Sequence, residues 1–398
     1  MLGKVISRSL HDVVIVSASR TPMGSFQSSL SSMSATQLGS VAIKDAVEKA
    51  GIEGSVVEES YIGNVSQAHQ GQAPARQATL GAGLPNTIPC TTINKVCASG
   101  TKAVMMAAQS LALGHNQCMI AGGMESMSNV PYAMKRASPA YGGVKMDDLI
   151  VHDGLTDAYN HCHMGVCGEN TASNLDISRA EQDAYAISSY HKSAAAWEAG
   201  KFNAEICPVI IPGKRGKPDT TVSVDEEYTR FNEAKFGNLR AAFKKDGTIT
   251  AGNASSLNDG ACALVMMTAE RAKELGVTPL ARVRGYADAA TQPIDFPIAP
   301  AYATPKALKW AGVSKDDVSQ WEINEAFSVV VLANQKMLDI DPAKINPNGG
   351  AVSIGHPIGM SGARIVAHLV HNLEAGQLGC ASICNGGGGA AAIVIEKL

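Results

Sequence analysis

A cysteine followed by an asparagine and four glycines near the C-terminus constrains the fold most strongly. The run is Cys384-Asn385 and then Gly386–Gly389, with an apolar stretch at 391–395 directly after it. Glycine adds no side chain to a core and loses the most backbone entropy on ordering. Consecutive glycines are therefore expected where backbone N–H groups must approach another group closely. The pattern is typical of a reactive thiol beside an oxyanion hole, although a free cysteine in a glycine-rich turn before a buried strand gives the same sequence.

A second cysteine, Cys97, lies in the motif Asn-Lys-Val-Cys-Ala-Ser-Gly at 94–100. The apolar stretch at 103–113 predicts a helix immediately after it. The partial positive charge of a helix N-terminus favours thiolate over thiol, so we expect Cys97 to be a nucleophile biased toward thiolate. A buried structural cysteine is the alternative, since free cysteine is among the most buried residue types.

Two further polar residues lie in equally distinctive segments. His356 lies in Gly-His-Pro-Ile-Gly at 355–359, before a predicted helix at 365–373. A rigid loop that aims an imidazole into a cavity suits a general base near neutral pH, and a Cys–His pair is a recurrent nucleophile and base. Asn324 lies in Asn-Glu-Ala-Phe, where we expect an extended segment to close and a helix to open. Its amide suits the binding of a catalytic water, with an ordinary helix cap as the alternative.

Together the four motifs resemble those of the thiolase family, in the same order along the chain. The likeness extends from about Val13 to Leu398, and within the family it is greatest for the short-chain biosynthetic type. Met124–Pro131 and His161–Gly165 support that subgroup.

The predicted elements belong to an α/β protein. Apolar runs predict strands at 13–16, 118–121, 261–267 and 281–286 and a helix at 35–50. The resemblance implies the thiolase fold, in which two similar βαβαβαββ halves form a five-layered α-β-α-β-α arrangement with an inserted loop domain. The implied division is an N-terminal half at 1–121 and 250–273, a loop domain at 122–249 that covers the active site and binds coenzyme A, and a C-terminal half at 274–398.

The resemblance also implies a reaction, the reversible Claisen condensation of two acetyl-CoA molecules to acetoacetyl-CoA and coenzyme A. Cys97 matches the nucleophile that carries the acetyl group as a thioester, which permits a ping-pong order. His356 matches the base that removes its proton. Cys384 matches the second thiol, which takes the α-proton of the incoming acetyl-CoA.

Two oxyanion holes follow from the same resemblance. Asn324 matches the residue that holds a water, and that water together with His356 forms the hole for the enolate. The N–H groups of Cys97 and Gly386 match the hole for the tetrahedral intermediate at the acyl-enzyme. His163 matches a histidine that contacts the substrate near the reacting carbons.

Coenzyme A and potassium are the ligands that the resemblance implies. It places coenzyme A contacts at Tyr190, Arg230, Phe231, Asn232, Lys235 and Ser255. Relatives with a similar Ile-Asp-Phe-Pro segment, here 294–297, also cleave 2-methylacetoacetyl-CoA and bind K⁺. The matching ion positions, mostly backbone carbonyls, are Tyr190, Ala251, Gly252, Ala254 and Val352. Oxygen-only ligation suits a hard cation, whereas ordinary helix packing is the alternative for Tyr190.

Composition excludes several other classes of protein. A net charge of −3 argues against nonspecific nucleic-acid binding, and no apolar run reaches the roughly 18–20 residues that span a bilayer. Nine cysteines without small-domain spacing indicate free thiols in a reducing compartment. His161, Cys162, His163 and Cys167 lack a second ligand cluster of suitable spacing, so we expect no metal site there. Low charge and 39 glycines suggest extensive subunit contacts, and the family suggests a homotetramer.

Several alternatives remain open at this point. A degradative 3-ketoacyl-CoA thiolase of broader chain length shares all four motifs, and only the acyl pocket, with Met164 and Phe296, distinguishes it. A condensing synthase would lack Cys384, and a catalytically inactive carrier would lack one or more of the catalytic residues. Residues 1–10 are basic and contain no acid, which resembles a mitochondrial transit peptide; a disordered arm of a cytosolic enzyme is the alternative. The sequence does not distinguish sterol-precursor synthesis from ketone-body or isoleucine breakdown.

Overall fold

The computed structural model describes residues 10–136, 141–213 and 216–398. The basic N-terminal segment that resembles a transit peptide therefore lies outside the described residues, apart from Leu10. Within the described ranges no helix is both long enough and apolar enough to cross a bilayer.

The regular elements alternate between strands and helices over most of the chain. The strands are β1 (Val13–Arg20), β2 (Gly24–Ser25), β3 (Glu59–Gly63), β4 (Cys90–Ile93), β5 (Cys118–Ser126), β6 (Tyr132–Ala133), β7 (Asp147–Asp148), β8 (Thr156–Asp157), β9 (Cys162–His163), β10 (Val209–Ile211), β11 (Thr220–Val222), β12 (Asn258–Thr268), β13 (Ala281–Ala290), β14 (Val318–Ile323), β15 (Leu378–Asn385) and β16 (Gly389–Lys397). The helices are α1 (Ala35–Ala50), α2 (Pro74–Gly81), α3 (Ser99–Ala112), α4 (Met164–Asn174), α5 (Arg179–Glu198), α6 (Ala269–Leu275), α7 (Pro300–Ala311), α8 (Ser328–Leu338), α9 (Ala351–Ile354) and α10 (Ile358–Asn372).

The large strands form five layers with the helices. Their order is β14-β15-β16-β13-β1-β12-β5-β3-β4, and β1 joins the two halves by pairing with both β12 and β13. Helices α3 and α10 lie in the middle, in one core with inward side chains of both halves of the sheet. Helices α1 and α2 cover the outer face of the first half, and α7 and α8 cover the outer face of the second. The α/β class and the α-β-α-β-α arrangement are confirmed.

Most predicted elements form, with longer bounds. The strand predicted at 118–121 continues to Ser126, and the helix predicted at 103–113 begins at Ser99. The helix predicted at 365–373 begins at Ile358, since its glycines lie inside the helix rather than in a loop. The expectation that Asn324 opens a helix is wrong, because α8 begins only at Ser328. The domain division at 121/122, 249/250 and 273/274 stays a prediction, with β5 crossing its first boundary.

Helices α3 and α10 touch through glycine at their N-terminal ends. A Cβ on Gly100 would lie 2.6 Å from the backbone nitrogen of Ala363, and a Cβ on Gly362 would lie 2.6 Å from that of Thr101. The Thr101 hydroxyl also donates to the Gly362 carbonyl at 2.8 Å. The contact is reciprocal, so each helix start is located by the other. The loops that precede the two helices carry Cys97 and His356, and this contact therefore fixes their relative position.

A buried ion-pair network attaches the segment after α5 to the centre of the fold. The Arg20 guanidinium, at the end of β1, pairs with Glu205 at 2.6 Å and with Asp225 at 2.7 Å, and all three side chains are buried. Glu205 also contacts His368 of α10 at 2.9 Å. Removing one partner of a buried ion pair is strongly destabilising, because it leaves an uncompensated charge. This network therefore holds the region around 225, where coenzyme A contacts are expected, in a fixed position against the sheet.

The glycine contact predicts a specific effect of an added methyl group. We expect Gly100→Ala to lower the free energy of unfolding by about 1–3 kcal/mol, because overpacking a close contact forces backbone shifts. Urea-induced unfolding followed by circular dichroism measures this change. Gly54→Ala is the matched control, since a Cβ there would lie at an ordinary 3.5 Å from Leu84 Cγ. Equal urea midpoints for Gly100→Ala and Gly54→Ala would show that the contact between α3 and α10 at Gly100 is not tight.

Candidate active site

The turn before α3 presents Cys97 at a helix N-terminus. Val96 has a φ of +48°, which is rare for a β-branched residue and marks local strain. Side chains on both sides fix the turn: Asn94 Oδ1 accepts from the Val96 N–H at 3.0 Å, and Ser99 Oγ accepts from the Lys95 N–H at 2.8 Å. The Ser99 hydroxyl in turn donates to the Val96 carbonyl at 2.5 Å. The position expected for Cys97, just before the helix, is confirmed.

The expectation that Cys97 is biased toward thiolate does not hold. Burial raises the pKa of Cys97 to about 12, outweighing the backbone N–H groups of Gly386 and Cys97 that lower it. The nearby Glu125 carboxylate raises the pKa further. Cys97 is therefore a neutral thiol at rest, and a base must take its proton when it reacts. The two N–H groups that favour the anion belong to the residues expected to form the acyl-enzyme oxyanion hole.

His356 is oriented as a neutral base. Its backbone N–H donates to Asn258 Oδ1 at 3.0 Å, and its Nδ1 lies 2.6 Å from Ser361 Oγ. The Ser361 hydroxyl donates to the Pro357 carbonyl at 3.0 Å, so it accepts from Nδ1–H. That assignment leaves the lone pair on Nε2, which is buried without a hydrogen-bond partner among the described residues. Burial, with the Arg364 charge, lowers the pKa of His356 to about 3.

The loop that carries His356 rests on a buried carboxylate. Glu125, in β5, accepts from the N–H groups of Gly359 and Val65, each at 3.0 Å, and from Asn64 Nδ2 at 3.0 Å. Burial raises the pKa of Glu125 to about 7, although these backbone donors oppose the change. Because every one of these partners donates, the ionised form satisfies them best. Loss of that charge would weaken the support of the loop that carries His356.

Asn324 follows β14 and has an unsatisfied amide. Its backbone N–H donates to the Ser382 carbonyl at 3.0 Å, which ties it to β15. Its Oδ1 and Nδ2 are buried and have no partner in the described part of the chain. The next residue, Glu325, anchors the turn by accepting from Tyr185 Oη at 2.7 Å and Ser189 Oγ at 2.8 Å. A rigid turn that holds an unpaired buried amide fits the binding of water or substrate.

Cys384 is the penultimate residue of β15, directly before the glycine-rich turn. It pairs with Ala390 of β16 and is 0% exposed. Burial, and the proximity of Cys97, raise the pKa of Cys384 well above its usual value. A Cβ on Gly388 would lie 2.3 Å from the Thr291 carbonyl oxygen, so this turn admits only glycine there. The glycine run thus serves a close backbone approach, and the two thiols lie in one site.

Apolar side chains enclose the space beside Cys384. Met164 and Phe296 are buried in one cluster with Cys384, and a Cβ on Gly386 would lie 3.4 Å from the Met164 sulfur. His163 caps α4, with its Nδ1 accepting from the Gly165 N–H at 3.0 Å, so its Nε2 carries the proton. Burial lowers the pKa of His163, which keeps the ring neutral. Both side chains expected to limit the acyl pocket therefore lie against the second thiol.

Three of the residues expected to bind coenzyme A are Tyr190, in the middle of α5, and Arg230 and Phe231, in the segment that packs against that helix. Phe231 stacks on Tyr190 with ring centroids 4.6 Å apart and an interplanar angle of 10°. Arg230 is exposed, donates to Ser28 Oγ at 3.0 Å and pairs with Glu226. The aromatic pair gives this surface a rigid apolar base beside a guanidinium, which suits an adenine with phosphates.

The other residues expected to contact coenzyme A are Asn232, Lys235 and Ser255. Asn232 and Lys235 are exposed. Ser255 is partly buried in the segment before β12, and both its N–H and its hydroxyl donate to the Ala326 carbonyl, at 3.1 and 2.9 Å. These two hydrogen bonds of Ser255 tie the segment before β12 to the Asn-Glu-Ala-Phe turn.

The residues expected to hold potassium also come together. Tyr190 and Val352 pack in one cluster with Phe236, and a Cβ on Gly252 would lie 2.9 Å from Phe236 Cζ. No N–H or hydroxyl of the described residues donates to the carbonyl oxygens of Ala251, Gly252 or Ala254. Available carbonyls beside a phenol fit the oxygen ligands of a hard cation.

Sequence reasoning missed the residues that support the catalytic groups. Glu125, Asn258 and Ser361 orient the loop of His356. Ser361 lies just after the Gly-His-Pro-Ile-Gly motif, whereas Glu125 and Asn258 lie in segments for which no catalytic part was expected. Ser361 lies five residues after His356 in the same glycine-rich segment. It was the one feature of the sequence that could have indicated which ring nitrogen of His356 carries the proton.

Family models match almost the whole chain. The thiolase N-terminal domain matches residues 13–270, and the thiolase C-terminal domain matches residues 277–397.

Named relatives and solved structures indicate the same family as the family models. The chain is 66% identical to the mitochondrial acetyl-CoA acetyltransferase of Xenopus tropicalis over 100% of this chain and 94% of that protein. It is 65% identical to the mitochondrial acetyl-CoA acetyltransferase of Homo sapiens, over 98% of this chain and 91% of that protein. The structure of Acat5 thiolase from Ascaris suum in complex with coenzyme A superposes with a TM-score of 0.93 at 46% identity, over 97% of this chain and 100% of that one. The crystal structure of the acetyl-CoA acetyltransferase of Bacillus anthracis superposes with a TM-score of 0.94 at 39% identity, over 98% of this chain and 100% of that one. The protein belongs to the thiolase family.

Proposed function

We propose that this protein is an acetyl-CoA C-acetyltransferase, which condenses two acetyl-CoA molecules to acetoacetyl-CoA and coenzyme A in a reversible, ping-pong reaction. The observation that carries the proposal is the pair of neighbouring thiols, the half-buried Cys97 and the buried Cys384, in a site where an imidazole nitrogen and an amide have no hydrogen-bond partner among the described residues. The names of the relatives, at 65–66% identity over nearly the full chain, support the same activity.

The first half-reaction transfers the acetyl group to Cys97. His356 Nε2 takes the thiol proton as the sulfur attacks the thioester carbonyl, so no free thiolate is needed beforehand. The N–H groups of Cys97 and Gly386 stabilise the oxyanion, and such donors are worth roughly 3–4 kcal/mol each. Coenzyme A leaves as a thiol with the proton of Cys384. The products are acetyl-Cys97, a protonated His356 and a Cys384 thiolate.

The second half-reaction forms the carbon–carbon bond. The Cys384 thiolate takes an α-proton from a second acetyl-CoA and becomes a thiol again. Protonated His356 and a water held by Asn324 stabilise the enolate oxygen. The enolate carbon attacks acetyl-Cys97, and collapse of the tetrahedral intermediate releases the Cys97 sulfur, which recovers its proton from His356. Each catalytic group ends in its starting protonation state, because the α-proton of the second acetyl-CoA replaces on Cys384 the proton that left with coenzyme A.

The site supports the acetyl-specific reaction over its alternatives. Met164 and Phe296 occupy the space beside Cys384 where a longer acyl chain would extend. The alternative of a degradative 3-ketoacyl-CoA thiolase of broader chain length finds no support in the names of the relatives. A condensing synthase with one thiol is disfavoured because Cys384 is buried in the same site as Cys97.

Potassium, assembly and location complete the proposal. Tyr190, Ala251, Gly252, Ala254 and Val352 would hold K⁺, which supplies fixed positive charge beside the stacked aromatic rings. Homotetramer formation is supported by exposed apolar side chains around the β6–β7 hairpin, where Tyr132 is 64%, Met134 49% and Met146 53% exposed. A mitochondrial location agrees with the names of the relatives.

Replacing each thiol should separate the two half-reactions. We expect Cys97→Ser to abolish exchange of labelled coenzyme A into acetyl-CoA, because the acetyl acceptor is lost. Cys384→Ser should retain exchange at a reduced rate and lose about 10²- to 10⁴-fold in condensation, the usual contribution of a general acid–base group. Cys90→Ser, at a half-buried thiol away from the site, is the control. Full condensation by Cys384→Ser would contradict the two-thiol mechanism.

The pKa values predict a pH profile governed by Glu125 rather than by His356. Because the pKa of His356 is lowered to about 3, its base form persists throughout pH 5–9. Glu125, with a pKa of about 7, is protonated as the pH falls through 7 and then supports the His356 loop less well. We expect kcat/KM for acetoacetyl-CoA cleavage to fall on the acid side of pH 7. Glu125→Gln mimics the protonated form, so it should show low activity and no such limb.

An unchanged acid limb in Glu125→Gln would assign the titration to another group. Circular dichroism at each pH verifies that the variant remains folded during the measurement.

The potassium proposal predicts a cation-specific response. We expect K⁺, but not Na⁺ at equal ionic strength, to raise the rate of coenzyme A-dependent cleavage of acetoacetyl-CoA and of 2-methylacetoacetyl-CoA. Tyr190→Phe removes one oxygen ligand and should weaken the response while preserving the ring stack with Phe231. Cleavage of acetoacetyl-CoA alone, indifferent to K⁺, would contradict both the ion site and the branched-substrate interpretation of Phe296-Pro297.

A further inference from the structure

Three potential metal ligands meet beside the wall of the catalytic site. Asp157 and Cys162 are directly paired residues of the β8–β9 hairpin, and Cys167 lies in the first turn of α4. One ligand atom from each residue lies within 4.8 Å of the other two. The described residues contain no other group of at least three Cys, His, Asp or Glu side chains as close as this. The three residues take no part in the reaction described above, although Cys162 and Cys167 pack in the same apolar cluster as Cys384.

The sulfur separation matches a tetrahedral metal centre. The Sγ atoms of Cys162 and Cys167 are 3.8 Å apart. Two thiolates bound to Zn²⁺ at about 2.3 Å with a tetrahedral angle lie about 3.8 Å apart. The two sulfurs are therefore already spaced for one ion, and no rearrangement of the hairpin or of α4 is needed to bring them together.

The charge at the cluster also favours a cation. Asp157 is 2% exposed, and it has no Lys, Arg or His nitrogen within 4.0 Å in the described part of the chain. Neutral donors hold its carboxylate, the N–H of Tyr159 at 2.8 Å and the amide of Asn160 at 2.7 Å. Such hydrogen bonds fix the direction of the carboxylate but leave its charge unmatched by any ion pair.

We propose that Asp157, Cys162 and Cys167 form a binding site for a soft divalent cation, with Zn²⁺ as the ion that fits best. Two thiolates and one carboxylate suit zinc better than magnesium or calcium, which prefer oxygen ligands alone. Binding releases one proton from each thiol and leaves a complex of net charge −1. The described residues supply three ligands, so a water would complete a tetrahedral set.

The sequence analysis missed the site because Asp157 lies outside the group of cysteines and histidines at 161–167. The residues at 161–167 supply two thiols five positions apart, and the register of the β8–β9 hairpin places Asp157 opposite Cys162. A bound ion would join the hairpin to the start of α4, directly beside His163 and Met164. The inference does not depend on the proposed function.

The test uses the full-length protein, reduced and treated with a chelator, and Co²⁺ as a spectroscopic probe. We expect one equivalent of Co²⁺ per chain to give thiolate-to-cobalt absorption, which stoichiometric Zn²⁺ displaces. Zn²⁺ should also raise the melting temperature, since a ligand that binds only the folded state stabilises it. Cys162→Ala should lose the absorption and the shift, while Cys90→Ala, at another partly buried thiol, should retain both.

Asp157→Asn provides an independent variant. It keeps a side-chain oxygen for the Tyr159 N–H, and it should bind Co²⁺ more weakly while preserving the sulfur absorption. Undiminished absorption in Cys162→Ala would place the ion elsewhere, for example at the catalytic thiols, and would overturn the proposal. Absence of Co²⁺ and Zn²⁺ binding by the unmodified protein would overturn it as well.

Discussion

The reciprocal contact between the starts of α3 and α10 is the constraint on which the site depends. Gly100 and Gly362 allow the two helices to approach so closely that a methyl group on either would strike the backbone of the other. The loop before one helix carries Cys97, the proposed nucleophile, and the loop before the other carries His356, the proposed base. A contact between two buried helix ends has little freedom to adjust, because protein interiors are close-packed. The same packing that completes the middle layer therefore sets the geometry of proton transfer.

Burial sets the protonation states of that pair. The thiol of Cys97, with a pKa of about 12, and the imidazole of His356, with a pKa of about 3, are both neutral at rest. In the proposed mechanism, charge separates only when the sulfur attacks a substrate whose oxyanion accepts hydrogen bonds from the N–H groups of Cys97 and Gly386. Fixed donors in a dry site stabilise that charge better than water does. Cys97 thus loses its proton only as it attacks, and it does not rest as a thiolate.

The sequence predicted the motifs better than it predicted their surroundings. Cys97, His356, Asn324 and Cys384 were found because glycine, proline and polar residues interrupt apolar patterns there. The start of α10 was placed too late, since Gly359 and Gly362 resemble loop residues until their close neighbours are known. The resting state of Cys97 was misjudged because the helix end is local in sequence, whereas desolvation comes from several distant segments. Ligands such as Asp157 depend on hairpin register, which no local pattern specifies.

The identity of the residue that carries the acetyl group tests the central claim most directly. Incubation with acetyl-CoA alone, acid quenching and peptide mass spectrometry would locate the thioester. The account predicts a single acetyl group on Cys97, with Cys384 unmodified even though it lies in the same site. An acetyl group on Cys384, or no acetyl-enzyme under conditions where condensation proceeds, would contradict the division of labour between the two thiols.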